Sequence, residues 1–186
     1  ASWLKFNLDG SVNEEESYEN LRVAASGRSV VIPGFYGAMP DGTIKTFSRG
    51  GSDITGALAA AALDAGVYEN WTDVSGFLMA DPKIVKDPQP IERITYSELR
   101  ELAFMGASVL HEDSVQPVKD KGIPLNIRNT NRPQDAGTMI VEKISKKSAN
   151  QDRFITGIAG RRNFTILTLH KRNMNLNVTL SQVLKI

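Results

Sequence analysis

Residues Thr46 to Gly66 read TFSRGGSDITGALAAAALDAG, a cation and two glycines set directly before a run of alanine and leucine. Alanine and leucine lose little freedom in a helix, so the stretch predicts a helix over Ser52 to Ala65, with Ser52 as its N-cap and Gly66 as its stop. Arg49 brings a fixed positive charge, Gly50 and Gly51 allow a ligand close to the backbone, and the amides after Ser52 point unpaired donors out of the helix start. A phosphate or a carboxylate fits such a place; a well-capped helix following a glycine turn is the plainer alternative. Asp53 favours the helix by about 0.3 to 1 kcal/mol in its first turn but repels a bound phosphate. Its presence makes sense if it meets an ammonium group, or a lysine that itself holds the phosphate.

Outward from this helix, short apolar runs alternate with helical segments. Val30 to Phe35 reads as a buried strand, and Pro40, Asp41 and Gly42 as a turn closing a hairpin into Thr43 to Thr46. Val67 to Val74 is the next strand. Thr95 and Glu98 form a capping box that opens a helix running to Met105, Asp113 to Lys121 is a short helix ended by Gly122, and Ile123 to Arg128 alternates as a strand. The acidic run Glu14 to Glu16 reads as a solvated helix start, and Trp3 and Trp71 as packing residues. This rhythm argues for a layered α/β domain with a largely parallel sheet, whose ligands bind beyond the carboxyl ends of the strands.

At such an end stands WTDVSGFLMADPKIV, Trp71 to Val85, where a strand finishing in Thr72 and Asp73 leads into a loop carrying Gly76, Asp81 and Lys83. That is an address for nucleotide recognition, although Ser-Gly and Asp-Pro are also ordinary turn dipeptides.

Composition narrows the classes. The 186 residues carry 22 basic and 21 acidic side chains, a net charge of +1 with no evident basic patch, which gives no field for nucleic acid or an anionic membrane. No cysteine is present, so disulfides and thiolate metal sites are excluded. Apolar runs fall well short of the roughly 20 residues of a membrane span, and the first residues lack the pattern of a signal peptide. A cytoplasmic protein is expected. His111 and His170 stand too isolated for a metal site or a general base, and no metal site built from protein ligands is expected. The composition shifts in GTMIVEKISKKSANQDRF, Gly137 to Phe154, and a new strand and helix pattern begins after it, which places a domain boundary at about residues 140 to 152.

Together these stretches resemble the aspartokinase branch of the amino-acid kinase family. The matching segments are PGFYG (Pro33 to Gly37), SRGGSD with TGALAAAALDA, WTDVSGFLMADPKIV, ELAFMGASVLHE (Glu101 to Glu112), and IPLNIRNT with the later Gly137 and Thr138, in the family's order and spacing. The last 35 or so residues resemble the start of an ACT regulatory domain. The resemblance implies a three-layer α/β/α sandwich over residues 1–143, the nucleotide-binding part of a kinase domain, then a linker over 144–152 and the first strand and helix of the ACT unit over 153–186. It further implies transfer of the ATP γ-phosphoryl group to the side-chain carboxylate of L-aspartate, with Mg²⁺ bridging phosphate oxygens. A nucleotide-binding or regulatory piece without catalysis, and a related amino-acid kinase with another acceptor, are the competing functions.

By this resemblance Arg49 and Asp53 are catalytic, with Ser52, Gly50 and Gly51 at the aspartate and Asp53 organising its ammonium group and a catalytic lysine. Thr72, Asp73, Gly76, Asp81, Lys83 and Ser108 would hold the nucleotide, and Met174, Asn175 and Asn177 an amino-acid effector. Association into a homo-oligomer through the ACT region is expected, with neither nucleic acid nor membrane as partner. The chain departs from the family at Ser108 and Glu112, inside the motif where many relatives read GAKVLHP with a lysine, which shifts phosphate binding toward Lys83. Leu78 stands where relatives often have tyrosine. The lysine-bearing glycine-rich segment that opens family members has no match here, so the chain is expected to be a fragment, beginning midway through the kinase domain, ending in the first regulatory helix, and inactive by itself.

Overall fold

The structure, a computed structural model, describes residues 3–104, 110, 114–144 and 155–160. In chain order its elements are α1 (Glu14–Ala25), β1 (Tyr36–Ala38), β2 (Ile44–Thr46), α2 (Gly51–Ala62), β3 (Tyr68–Thr72), β4 (Arg93–Thr95), α3 (Tyr96–Phe104), α4 (Gln116–Asp120), β5 (Leu125–Asn129) and β6 (Thr138–Val141).

The alanine-rich helix is apolar on more than one side because it is buried on more than one side. Ala57 and Ala60 of α2 join a core with Ile94, Leu99, Val118, Leu125, Ile127 and Ile140. Leu58 and Ala62 join a second core with Trp3, Leu4, Phe6 and Leu21. A helix that is apolar all round is one with protein all round it. Arg22 of α1 donates from Nε to the Ala62 carbonyl at 2.8 Å, which satisfies one orphan acceptor at the end of α2 with a cation suited to the dipole there.

Both expected ends of this helix move. Gly50, in the left-handed region at φ 61°, is the N-cap rather than Ser52, and no side chain caps the helix. The cause is steric: a Cβ on Gly51 would lie 2.7 Å from Phe35 and Phe47, so a glycine must lie where the first turn meets these rings. The helix stops at Ala62 rather than Ala65, through Asp64 at φ 47° and not through Gly66. Asp tolerates the left-handed region better than most residues, and its carboxylate is held by Lys121 Nζ at 2.9 Å.

Val30 to Phe35 is not a strand. Val31 is 99% exposed, Pro33 has no amide to donate, and Phe35 sits at φ 82°, so pairing begins only at Tyr36. The expected hairpin survives one step later, with β1 and β2 antiparallel around the turn at Pro40 to Gly42. The acidic first turn of α1 is exposed as expected, and Asn13 caps it by accepting from the Glu16 amide at 3.2 Å.

The main sheet has the order β3-β5-β6-β4. β3 runs parallel to β5 and β4 parallel to β6, while β5 and β6 are antiparallel, so two of the three pairings have the expected sense. The sequence gives little sign of β4, which is three residues long with two of them, Arg93 and Thr95, charged or polar. Tyr68, Asn70, Leu125, Ile127, Ile140 and Ile94 face the helices. Glu69, Trp71, Asn126, Arg128, Met139 and Arg93 occupy the other face, where Glu69, Trp71 and Arg93 are exposed. Trp71 is thus 43% exposed rather than packed in a core, with the Arg128 guanidinium 4.9 Å from its ring centre.

The capping box of α3 forms as the sequence indicates: Glu98 accepts from the Thr95 amide at 2.9 Å and hydroxyl at 2.7 Å, and the Glu98 amide donates back to Thr95 Oγ1 at 3.2 Å. The helix is described to Phe104, with Met105 outside the described residues. Burial raises the Glu98 carboxyl, but the hydrogen bonds from Thr95 and Thr156 outweigh it and hold the group below its ordinary 4.5. A carboxylate depressed in the folded state contributes stability above its unfolded value and loses it in acid. Glu98→Gln should therefore lower stability at pH 7, and its difference from the unaltered chain should shrink as pH falls below about 4.3; urea melts across that range check it.

Candidate functional site

Two places carry the residues singled out from sequence, and β3 links them: Asn70 meets the first turn of α2, and the strand's carboxyl end opens on the second. The first is the start of α2. Because Gly50 caps without a side chain, the amides of the first turn have no side-chain acceptor, and Ile54 donates to the Gly50 carbonyl at 3.0 Å as the first helical bond. Arg49 and Ser52 are exposed, Gly51 is buried, and Arg49 has no ion-pair partner among the described residues. The PGFYG loop packs against this helix start: the Phe35 amide donates to Thr55 Oγ1 at 3.0 Å, and Thr55 donates to the Gly51 carbonyl at 2.6 Å. Phe35 keeps its unfavourable positive φ because the ring is trapped against Gly51.

Asp53 is turned toward the sheet. Its Oδ1 accepts from Asn70 Nδ2 at 2.9 Å, and its carbonyl accepts from the Tyr68 hydroxyl at 3.2 Å. Burial above all, opposed by the hydrogen bond from Asn70 and aided by the Asp53 charge, raises the Tyr68 hydroxyl, so it stays a neutral donor. A Cβ on Gly56 would come within 2.5 Å of that hydroxyl, so the tyrosine needs a glycine opposite it.

The second place lies beyond the carboxyl ends of β3 and β5. A cavity of about 660 Å³ opens there, lined by the turn from Asp73 to Leu78, by Asp81, and by Asn129, Arg132 and Asp135 of the loop after β5. That volume suits a nucleotide-sized ligand. Gly76 makes its floor possible at φ 97°, where a Cβ would strike Thr138. The Thr138 hydroxyl accepts from the Phe77 amide at 2.8 Å and donates to the Ile91 carbonyl at 2.5 Å, tying floor, sheet and the return of the loop into one piece. Ser75 donates to Asp135 at 2.6 Å and accepts from Asn129 at 2.9 Å, and Arg132 meets Asp135 at 3.2 Å, so strand ends and loop share one polar network.

Asp73, Gly76 and Asp81 line this cavity, and Thr72 ends the strand that leads to it, its hydroxyl donating to Asp73 at 3.2 Å. Lys83 does not line it: the residue is exposed in an Asx turn, its amide donating to Asp81 at 2.8 Å. Ser108, Glu112, His111 and the effector candidates Met174, Asn175 and Asn177 lie outside the described residues. None of residues 49–53 lines the cavity; Asp53 reaches the same strand through Asn70. Sequence reasoning missed Ser75, Asn129, Arg132 and Asp135, although the rule that picked the end of β3 applies equally to the end of β5. It also missed Ile158, Ala159 and Gly160, which form a further wall.

Asp73 and Asp81 offer hard oxygen donors at the cavity, while among the described residues no group of three or more His, Asp or Glu could hold a metal ion alone. Such a donor set fits Mg²⁺ bound mainly through a ligand's phosphates. No helix among the described residues is long and apolar enough to cross a membrane.

Residues 4–129 match the amino acid kinase family. The chain is 40% identical over 164 residues to aspartokinase 3 of Bacillus subtilis, covering 88% of this chain and 35% of that protein. It is similar in structure to Clostridium acetobutylicum aspartate kinase, described as an allosteric enzyme, with a TM-score of 0.77 and 53% identity over 86% of this chain and 36% of the other. Escherichia coli aspartokinase III in complex with aspartate and ADP matches with a TM-score of 0.70 and 30% identity, over 78% of this chain and 34% of that one. The chain thus spans about a third of the length of the relatives it matches.

Thr138 sets the geometry of the cavity floor. Replacing it with valine strands a buried donor and a buried acceptor together, and should cost about 2 to 4 kcal/mol in chemical denaturation, with Thr138→Ser costing clearly less.

Proposed function

We propose a function from one premise: this chain belongs to the amino acid kinase family. It is part of an ATP-dependent aspartate kinase, which transfers the γ-phosphoryl group of ATP to the side-chain carboxylate of L-aspartate and yields 4-phospho-L-aspartate for lysine, threonine and methionine synthesis. The observation that carries this reading is the nucleotide-sized cavity beyond β3 and β5 in a chain 53% identical, over most of its length, to an aspartate kinase.

The nucleotide lies in the cavity, with its polyphosphate near Asp73, Gly76 and Asp81. Mg²⁺, when bound, neutralises charge on the phosphates. Arg132 is the cation lining this cavity among the described residues, and it takes the phosphate load expected of Lys83. Aspartate lies at the start of α2, where Arg49 and the amides of Gly51 and Ser52 receive its carboxylates and Asp53 faces its ammonium group. The hydrogen bond from Asn70 fixes the Asp53 carboxylate before substrate arrives. Phosphoryl transfer needs this kind of positioning and charge neutralisation more than covalent help. The enzyme is cytoplasmic, residues 153–186 open an ACT unit that takes an amino-acid effector at Met174, Asn175 and Asn177, and association runs through that unit.

In the complete polypeptide, Asp53→Asn should lower turnover about a hundredfold, on the order of 3 kcal/mol, with the thermal midpoint nearly unchanged. A coupled assay for ADP release with aspartate and Mg²⁺ reads it, and near-normal turnover would refute the role. In the same assay Arg132→Ala should raise the KM for ATP about tenfold and more than Lys83→Ala does.

A further inference from the structure

The segment 155–160 lies past the expected domain boundary in sequence, yet it packs onto the first unit at the mouth of the cavity. The Ile158 amide donates to the Met79 carbonyl at 2.7 Å, and the Thr156 hydroxyl donates to Glu98 Oε1 at 2.7 Å. Between them Gly157 lies against Leu102 and Ile91, where a Cβ would make contact at 3.4 and 3.5 Å. Beyond these anchors Ile158, Ala159 and Gly160 face the cavity opposite the turn from Asp73 to Leu78.

We infer that residues 155–160 form a structural wall of the nucleotide site, and that Thr156 and Glu98 are positioning residues that hold this wall in place. The argument is geometric. Glu98 divides its two oxygens, with Oε2 accepting from Thr95 to start α3 and Oε1 accepting from Thr156. One carboxylate therefore fixes the segment to a helix that is itself pinned to β4. A charge-assisted hydrogen bond of this kind is about twice as strong as a neutral one. Ile158 remains 66% exposed and brings little burial to hold the segment, so the two hydrogen bonds are what seat it. A ligand that touches Ile158 to Gly160 while bound to the floor binds the seated arrangement better than an unseated one, so occupancy and seating stabilise each other by the same factor. The wall belongs by sequence to the start of the later unit expected over residues 153–186, so a movement of that unit that unseats it would weaken nucleotide binding without touching the floor.

This inference rests on the cavity being the nucleotide site, and the test separates the two. ADP with Mg²⁺ is titrated calorimetrically into this chain and into Thr156→Val and Thr156→Ser, with hydrogen exchange followed at the Ile158 amide. Thr156→Val should weaken ADP about tenfold, speed exchange at Ile158 and lower the nucleotide-free thermal midpoint only slightly, while Thr156→Ser restores binding. ADP should slow exchange at Ile158 in the unaltered chain. If the unaltered chain binds ADP and Thr156→Val binds it equally well, or if serine fails to restore a loss, the wall is refuted and the nucleotide site stands. If the unaltered chain binds no ADP, both readings fall.

Discussion

Helix α2 has a hydrophobic core on each side, and that constraint reaches everything else in the molecule. Between the sheet and α1 there is room for alanine but rarely for more, and Gly51 and Gly56 mark where even a methyl group would collide with Phe35, Phe47 or Tyr68. A helix so confined cannot rotate or slide without overpacking one core and opening the other. Its first turn is therefore held in a fixed direction relative to β3, which is the requirement for a site whose parts come from both. Asn70 makes the link explicit, because one side chain on the strand fixes the carboxylate of Asp53 on the helix.

The cavity solves a different problem. Its floor is irregular backbone, which must find partners for its amides and carbonyls away from any ladder. Thr138 supplies two of them from one hydroxyl, and the Ile91 amide closes on the Phe77 carbonyl at 2.8 Å, so three bonds tie the turn to its surroundings. Gly76 and Gly137 both have positive φ and would both collide with neighbouring backbone if they carried a Cβ. Rigid floors of this kind avoid the cost of ordering a loop when a ligand arrives.

The sequence made legible what local chemistry controls. The alanine run, the Thr95–Glu98 capping box and the alternation in IPLNIR each produced the expected element within a few residues, because propensity, capping and period act over one or two turns. The errors came from contacts between distant residues. Nothing near Ser52 reveals that Phe35 and Phe47 require a glycine beside it, and nothing near Gly66 reveals that Lys121 will hold Asp64 in the left-handed region. Strand assignment failed at Val30 to Phe35, where apolar composition outweighed the missing amide of Pro33. In the candidate site the end of β3 could be read, since its motif is dense, whereas Arg132 and Asp135 lie in a loop whose composition resembles any turn. Lys83 was read from the same motif, and its amide lies in an Asx turn with Asp81, next to the lining residues Asp81 and Pro82.

The strand order has a consequence for how the chain reaches this state. Among the described strands β3 pairs in parallel only with β5 and β4 only with β6, so each parallel pairing closes a long loop before any of its hydrogen bonds form. Local elements such as α2 and the β1–β2 hairpin form quickly, while sheet closure waits on entropy-costly encounters between remote segments. During synthesis the strand Tyr68–Thr72 emerges well before Leu125–Asn129, and in that interval the edge that β5 will fill lacks its partner. Closing the sheet that shapes the cavity is thus expected to be slower than forming the local elements, and it is the stage at which the chain most needs protection from its neighbours.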